Sequence, residues 1–399
     1  MAIGQELQAR RHQVLCVFPE QFRALAEDTD LPFEGLNKAF LELILGKDGK
    51  AVMGGKVNFW QKIAAYVRLY KQSLPVNALL LKEQHAIAST FQPDRIIYSG
   101  KALYGPIWGS AHKGKAFLLS PIPCLIHASG KYPHVGFTGN YGSFLNKLTY
   151  KLANWGLLKN IQSSSKSYRK ELGISMESIK QQLFGSDMIY AVSHNLFAKP
   201  ADLPTHAHFV GYHERNKLNH WKPSAELEAF VNKHEKILFI TFGSMVNPEP
   251  EKNSRLVLGI LDLLKIPAIV NVYGGGLQKP AETQSDLFHF VERVPYEWMF
   301  PKVYATIHHG GSGTTHMAAK YGCAQLIIPH IIDQFLWNQV VADKQLGPKG
   351  KSIRKLNEAW FKETLTDLWE NPNYKSNAIA LSQKMQGEDL MEEYLELVE

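Results

Sequence analysis

The chain has 399 residues, a formal net charge of +7 and a pI near 9.0, with 45% hydrophobic and 20% charged residues. That length suits two domains with separate cores, and no apolar run approaches the roughly 18 to 20 residues of a bilayer span. Three scattered cysteines, Cys16, Cys124 and Cys323, indicate neither a disulfide framework nor a zinc site, so a reducing cytoplasm is expected. The basic balance fits an anionic ligand, an anionic membrane surface or a solvated basic face.

The N-terminus has no signal-peptide core behind its basic residues. It predicts an amphipathic helix, with Ile3 and Leu7 inward, running into a strand from Val14 to Phe18. Next comes Asp28-Thr29-Asp30, which has the metal-binding Asp-x-Asp spacing but follows a helical stretch rather than a strand. No metal site is expected there. A helical stretch between Phe59 and Lys82 and a loop-rich span from Pro121 to Gly156 look like insertions on the first domain.

Short apolar runs alternate with helical stretches, the pattern of parallel sheets with crossover helices. DRIIYSG, AFLLSPI and DMIYAVS follow the first strand; KILFITFGS, PAIVNVYGG, ATIHHGG and AQLIIPH form a second series. Each run ends in a turn residue at a strand's carboxyl end, the edge where open α/β sheets bind ligands. The polar segment from Gly211 to Glu235 divides the series. The expected fold is α/β, two doubly wound domains facing across a cleft, with residues 1–210 in the first domain and 211–399 in the second.

In the second series, HGGSG (His309–Gly313) joins a buried strand to the helix THMAAKYG. Glycines allow close backbone approach, and helix-start amides with Ser312, Thr314 and Thr315 can hold an anion. The spacing matches neither a P-loop nor the six-residue dinucleotide fingerprint, so a hydroxyl-capped structural turn is an equal reading of the pattern. Asp333 and Gln334 fall on the same edge, where a carboxylate beside an amide suits paired sugar hydroxyls. Ser244 falls there too. Alone, Ser244 is equally a helix cap, and Asp333 and Gln334 a surface loop.

The stretch from VPYEWMF through HHGGSGTTHMAAKYGCAQLIIPHIIDQFLWNQ resembles the donor-binding signature of UDP-glycosyltransferases, in the branch of sterol glucosyltransferases and bacterial antibiotic or flavonoid glycosyltransferases. The similarity extends back through SPIPCLIHASGKYPHVGF and forward to QKMQGEDLMEEYLELVE. It implies the GT-B fold: two Rossmann-like domains, the second binding UDP-sugar, and a C-terminal helix returning to the first. His309 would contact the diphosphate, the backbone of Gly311, Ser312, Gly313 and Thr314 with the Thr314 hydroxyl would cradle it, Asp333 and Gln334 would hold the hexose, and Ser244 would lie on the phosphate side. His308 would brace the turn.

The pattern departs from plant members at Met317, where they hold ribose with a glutamate, and at Val294, where they stack uracil on tryptophan. Trp298 is expected in the core. The implied reaction is inverting hexosyl transfer, with glucose the expected sugar, from a UDP-sugar to a small lipophilic acceptor. No cofactor, metal or nucleic acid is implied, and peripheral membrane contact is compatible. The resemblance puts the first strand and the catalytic base upstream of Met1, leaving the catalytic residue unassigned; His127 and His134 are the nearest alternatives. Two competing readings are a UDP-sugar-binding fragment without transfer activity and a UDP-sugar epimerase.

Overall fold

Among the described residues, eleven short strands, all paired in parallel, carry the architecture. The computed structural model describes residues 1–52, 59–214, 221–243, 245, 247, 249–282 and 285–399. The chain divides into two units: Met1–Val192 with Lys199–Arg215 and Asp389–Glu399, and Ser193–Ala198 with Asn216–Glu388.

In the first unit, β1 (Cys16–Pro19) pairs with β2 (Phe33–Leu36) in a two-stranded sheet. A separate sheet runs β3 (Ile96–Ser99), β4 (Ala116–Ser120), β5 (Met188–Tyr190) and β6 (Ala207–Phe209) in sequence order. An order without reversal has no internal switch point. The terminal helix Met391–Val398 belongs to this unit, burying Tyr394, Leu395 and Val398 against Phe117, Ile189 and Val210. Arg10 of the N-terminal helix Ala2–Ala9's cap bonds Glu392, and His12 lies 3.1 Å from the Glu399 carboxylate, tying the chain's two ends together.

Two expectations for this unit change. The helix from Phe59 runs on to Phe91 despite Pro75 inside it, and the loop-rich span ends early, because Ser143–Ser164 is a 22-residue helix. Its spacing disguised it: Asn146 and Thr149 face inward while Phe144, Leu148 and Trp155 face out, so no apolar stripe marks a core face.

The second unit holds β7 (Leu238–Thr241), β8 (Ala268–Asn271), β9 (Phe288–Val291), β10 (Ala305–His308) and β11 (Ala324–Ile327), in the order β11-β10-β7-β8-β9. All four residues of β7, β8, β10 and β11 are buried, as expected where helices cover both faces. The core joins Leu238, Ile240, Ile307 and Leu326 to Leu261, Phe361 and Leu365 of the flanking helices. The winding reverses between β7 and β10, so a crevice opens at their carboxyl ends.

Leu395→Ala is expected to cost about 2 to 5 kcal/mol through lost burial and the cavity left behind. Calorimetry should show a lowered transition for the first unit; an unchanged melt would contradict the packing of the terminal helix.

Candidate functional site

The switch point fixes where the site lies. Thr241, the last residue of β7, is in register with His308, the last of β10, and the loops that follow meet: a Cβ placed on Gly243 would sit 3.5 Å from His309 Cε1. His308 is fully buried and uses both ring nitrogens. Its Nδ1 accepts from the Gly310 amide at 3.1 Å, so its Nε2 carries the proton and donates to Gln325 Oε1 at 3.0 Å. His308 therefore braces the turn.

That brace holds Gly310 at φ +89°, where a Cβ would come within 2.5 Å of Ile327 Cγ2. Only glycine fits. The chain then enters the turn helix Ser312–Lys320, whose N-cap is Gly311 and whose start carries no side-chain cap. The first intrahelical backbone bond runs from the Thr315 amide to the Gly311 carbonyl, so the Gly313 and Thr314 amides lie ahead of the ladder. The imidazole of His309 lies over this entrance: a Cβ on Gly311 would meet its Nε2 at 2.5 Å. The His309 Nδ1 is buried without a well-formed hydrogen bond.

The hydroxyls that the sequence suggested as anion donors turn to the protein instead. Ser312 Oγ lies 3.3 Å from His316 Nδ1, and Thr315 donates to the Gly311 carbonyl at 2.9 Å. Thr314 shares a hydrogen bond with the half-buried Tyr296, whose hydroxyl also reaches Thr241 at 3.3 Å.

Asp333 and Gln334 lie at the start of the helix Gln334–Asp343, after β11. Asp333 is its half-buried N-cap residue, following the exposed Ile332 at φ +41°. Gln334 is buried; its Oε1 accepts from the His330 and Ile331 amides at 2.7 and 3.0 Å, and its Nε2 lies 3.0 Å from Met245 Sδ. Gln334 shapes the loop that presents Asp333. Ser244 lies outside the described residues.

Sequence reasoning passed over Tyr296 and His330. His330 is buried with Nδ1 on the Ile328 carbonyl at 2.9 Å, its ring 5.1 Å from Phe242 and its Nε2 without a hydrogen-bond partner. Its place directly after the run QLIIP was the available signal. Met317 is buried, as is Val294. Trp298, expected in the core, is only half-buried: it packs edge-on to Trp221 at 5.2 Å, with Lys302 over its ring. Its four-residue helix, Tyr296–Met299, gives the core Met299 rather than the indole.

In the first unit, His127 is buried beside Tyr190 and His206, with Nδ1 3.4 Å from the Tyr190 hydroxyl and Nε2 without a partner. His134 accepts from the Gly136 amide at 3.0 Å and packs against Tyr150. Burial depresses both to about 4, with His206 adding to the effect at His127. A small apolar recess in this unit is lined by Tyr98, Leu103, Leu118, Ile126, Leu157 and Ile161, among others. Among the described residues, no three His, Cys, Asp or Glu side chains gather as a metal site would require.

Burial also depresses the second unit's histidines. His308 falls to about 3, with His309 as a second cause, and His309, His316 and His330 each fall to about 4. These rings are neutral at pH 7, and the two of His316 and His308 have their tautomers fixed by their partners: His316 Nδ1 donates to the Ser312 carbonyl, and its Nε2 accepts from the Ser193 amide.

Comparison with known proteins places this geometry. The calicheamicin glycosyltransferase CalG4 superposes with a TM-score of 0.70 at 14% identity, over 100% of this chain and 92% of that one. The fold is that of the GT-B glycosyltransferases. Residues 279–397, which contain the turn, match the family described as erythromycin biosynthesis protein CIII-like, C-terminal domain. A sterol 3-beta-glucosyltransferase of Arabidopsis thaliana is 30% identical over 200 residues, 50% of this chain and 31% of that protein. One from Saccharomyces cerevisiae is 25% identical over 408 residues, 98% of this chain and 33% of that protein. The chain is thus similar over half or more of its length to these sterol 3-beta-glucosyltransferases and spans about a third of the length of the two relatives.

Acid should unfold the second unit through its histidines. Their folded-state values lie below the ordinary 6.5, so between about pH 6.5 and 4 the unfolded chain binds more protons. The stability they contribute is complete above about pH 6.5 and falls as pH drops, as the buried His308, His316 and His330 must take up protons on unfolding. Melting curves across that range check it; a flat Tm would contradict it. Gly310→Ala should destabilise by on the order of 1 to 3 kcal/mol through its positive φ and the Ile327 clash. An unchanged denaturation midpoint would mean that the turn relaxes freely.

Proposed function

We propose that the chain binds a UDP-sugar at the turn after β10 and transfers its hexose, glucose in our reading, to a hydroxyl of a small lipophilic acceptor with inversion at the anomeric carbon. The observation that carries this is the uncapped helix start at the switch point, with His309 lying over it. An anion there gains the Gly313 and Thr314 amides, the positive end of the helix and an imidazole N–H. The Gly311 and Ser312 backbone completes the cradle. The similarity to sterol 3-beta-glucosyltransferases supports both the hexosyl class and a lipophilic acceptor.

In this reaction the acceptor oxygen attacks the anomeric carbon from the face opposite the diphosphate. The bond from that carbon to the diphosphate oxygen breaks, its electron pair stays on the β-phosphate, and the acceptor proton passes to a general base. Negative charge grows on the leaving diphosphate, so donors fixed around it stabilise the transition state more than the ground state. His309, neutral before binding, supplies one of them without adding a second cation to a crowded site. The scheme uses no metal, so a chelator should leave turnover unchanged. Asp333 faces the hexose hydroxyls in this reading, and Gln334 sets the loop that carries it and lies next to the same sugar.

His309→Ala should weaken UDP binding roughly tenfold or more, because a hydrogen bond to a charged group contributes on the order of 1.5 to 3 kcal/mol. Calorimetric titration of UDP decides it, with equal affinity in a folded variant removing His309 from the site. Asp333→Ala should reduce UDP-glucose affinity or turnover by about tenfold while leaving UDP nearly unaffected. Equal losses for both ligands would show that Asp333 acts through the fold or the phosphates. Product analysis with UDP-glucose and a lipophilic acceptor panel tests transfer itself: donor binding without glycoside formation would leave the chain a UDP-sugar-binding protein.

A further inference from the structure

The helix Ser143–Ser164 buries a mixed face and exposes an apolar one. Its inner side carries Tyr150 and Ile161 together with polar residues that hold the preceding loop. Asn146 Nδ2 donates to the Gly130 carbonyl at 2.9 Å and its Oδ1 accepts from the Tyr141 amide at 3.0 Å. Thr149 Oγ1 accepts from the His134 amide at 2.8 Å, and Asn154 donates to the Ile126 carbonyl at 2.9 Å. Its outer side is apolar: Phe144 is 80% exposed, Trp155 61% and Leu152 59%, with Leu145 and Leu148 also exposed. At 100° per residue, Phe144, Leu148, Leu152 and Trp155 fall on one stripe. Folding gains nothing from this stripe, and a contiguous exposed apolar stripe marks an interaction surface.

Its charge says what kind. Between Asp94 and Glu171 the sequence contains eleven Lys or Arg and no Asp or Glu. Lys147, Lys151 and Lys159 lie on this same helix, all exposed and interleaved with the apolar residues. Lys147 reaches Asp202 at 3.4 Å, and Lys159 is 3.4 Å from the Gln162 amide oxygen. Large apolar side chains set among lysines on an exposed helical face suit the boundary between headgroups and acyl chains, where the rings and leucines bury and the ammonium groups remain with anionic headgroups.

We propose that the outer face of Ser143–Ser164 docks the protein on an anionic lipid bilayer. The other end of the same helix contributes Leu157 and Ile161 to the apolar recess of the first unit, so the docked face and the recess share one element. Among the described residues no helix is long and apolar enough to cross a membrane, and this docking is at the surface.

The test is co-sedimentation of the full chain with phosphatidylcholine vesicles made with and without phosphatidylserine. The wild type should bind the phosphatidylserine vesicles, and binding should weaken as salt rises. The double substitution Phe144→Ser with Trp155→Ser should reduce it about tenfold or more, and Lys151→Glu with Lys159→Glu should reduce it on the anionic vesicles alone. These side chains are exposed, so both variants should keep the wild-type melting temperature. Failure of the wild type to bind, or equal binding by the apolar variant, overturns the proposal. So does self-association of the wild type, abolished by the apolar variant, in the absence of vesicle binding, which would assign the face to a second copy of the chain. None of these readings uses UDP or transfer, so the outcome is independent of the function proposed above.

Discussion

The second unit's crevice depends on one neutral imidazole. His308 sits at the end of a fully buried strand with an amide on one nitrogen and an amide oxygen on the other, so protonating it would cost both burial and a hydrogen bond. From that brace the rest follows in order. Gly310 must take a positive φ against Ile327, Gly311 then begins the helix without a side-chain cap, and His309 is carried over the helix entrance beside Gly243. A residue that touches no ligand in the proposed reaction therefore sets the position of those that would.

The same arrangement decides which groups can hold an anion. Three hydroxyl residues crowd the turn, yet each of Ser312, Thr314 and Thr315 finds a partner inside the protein. A helix terminus alone contributes about 0.3 to 1 kcal/mol at an exposed site, less than a single hydrogen bond to a charged group. Discrimination for a diphosphate must then come from directed donors, the backbone amides and His309. Preorganisation favours them, because Gly310 and His308 fix their geometry before any ligand arrives.

Much of this was legible in the sequence where the physics is local. Runs such as KILFITFGS and ATIHHGG gave β7 and β10 because strands buried on both faces are apolar without interruption. β2, β6 and β9 escaped because Glu34, His208 and His289 break their short runs, and β6 and β9 lie at sheet edges, where one side needs no apolar residue. The glycine turn was legible as backbone chemistry, whereas the fates of its hydroxyls depend on Tyr296 and His316, set by tertiary packing. Gln334 shows the same limit: its position in the motif was visible, but its use in bonding the His330 and Ile331 amides was not. The helix from Ser143 was hidden for another reason: Asn146 and Thr149 face in beside Tyr150 and Ile161, while Phe144, Leu148, Leu152 and Trp155 face out, so its apolar stripe does not mark its core face.

The account stands on the claim that the turn after β10 is a diphosphate site. A crystal structure of the full chain with UDP bound tests this most directly. The account predicts the diphosphate at the start of the helix Ser312–Lys320, within hydrogen-bond distance of the Gly313 and Thr314 amides and of the His309 ring. A diphosphate bound elsewhere on the chain, or a turn left empty at saturating UDP, would contradict it.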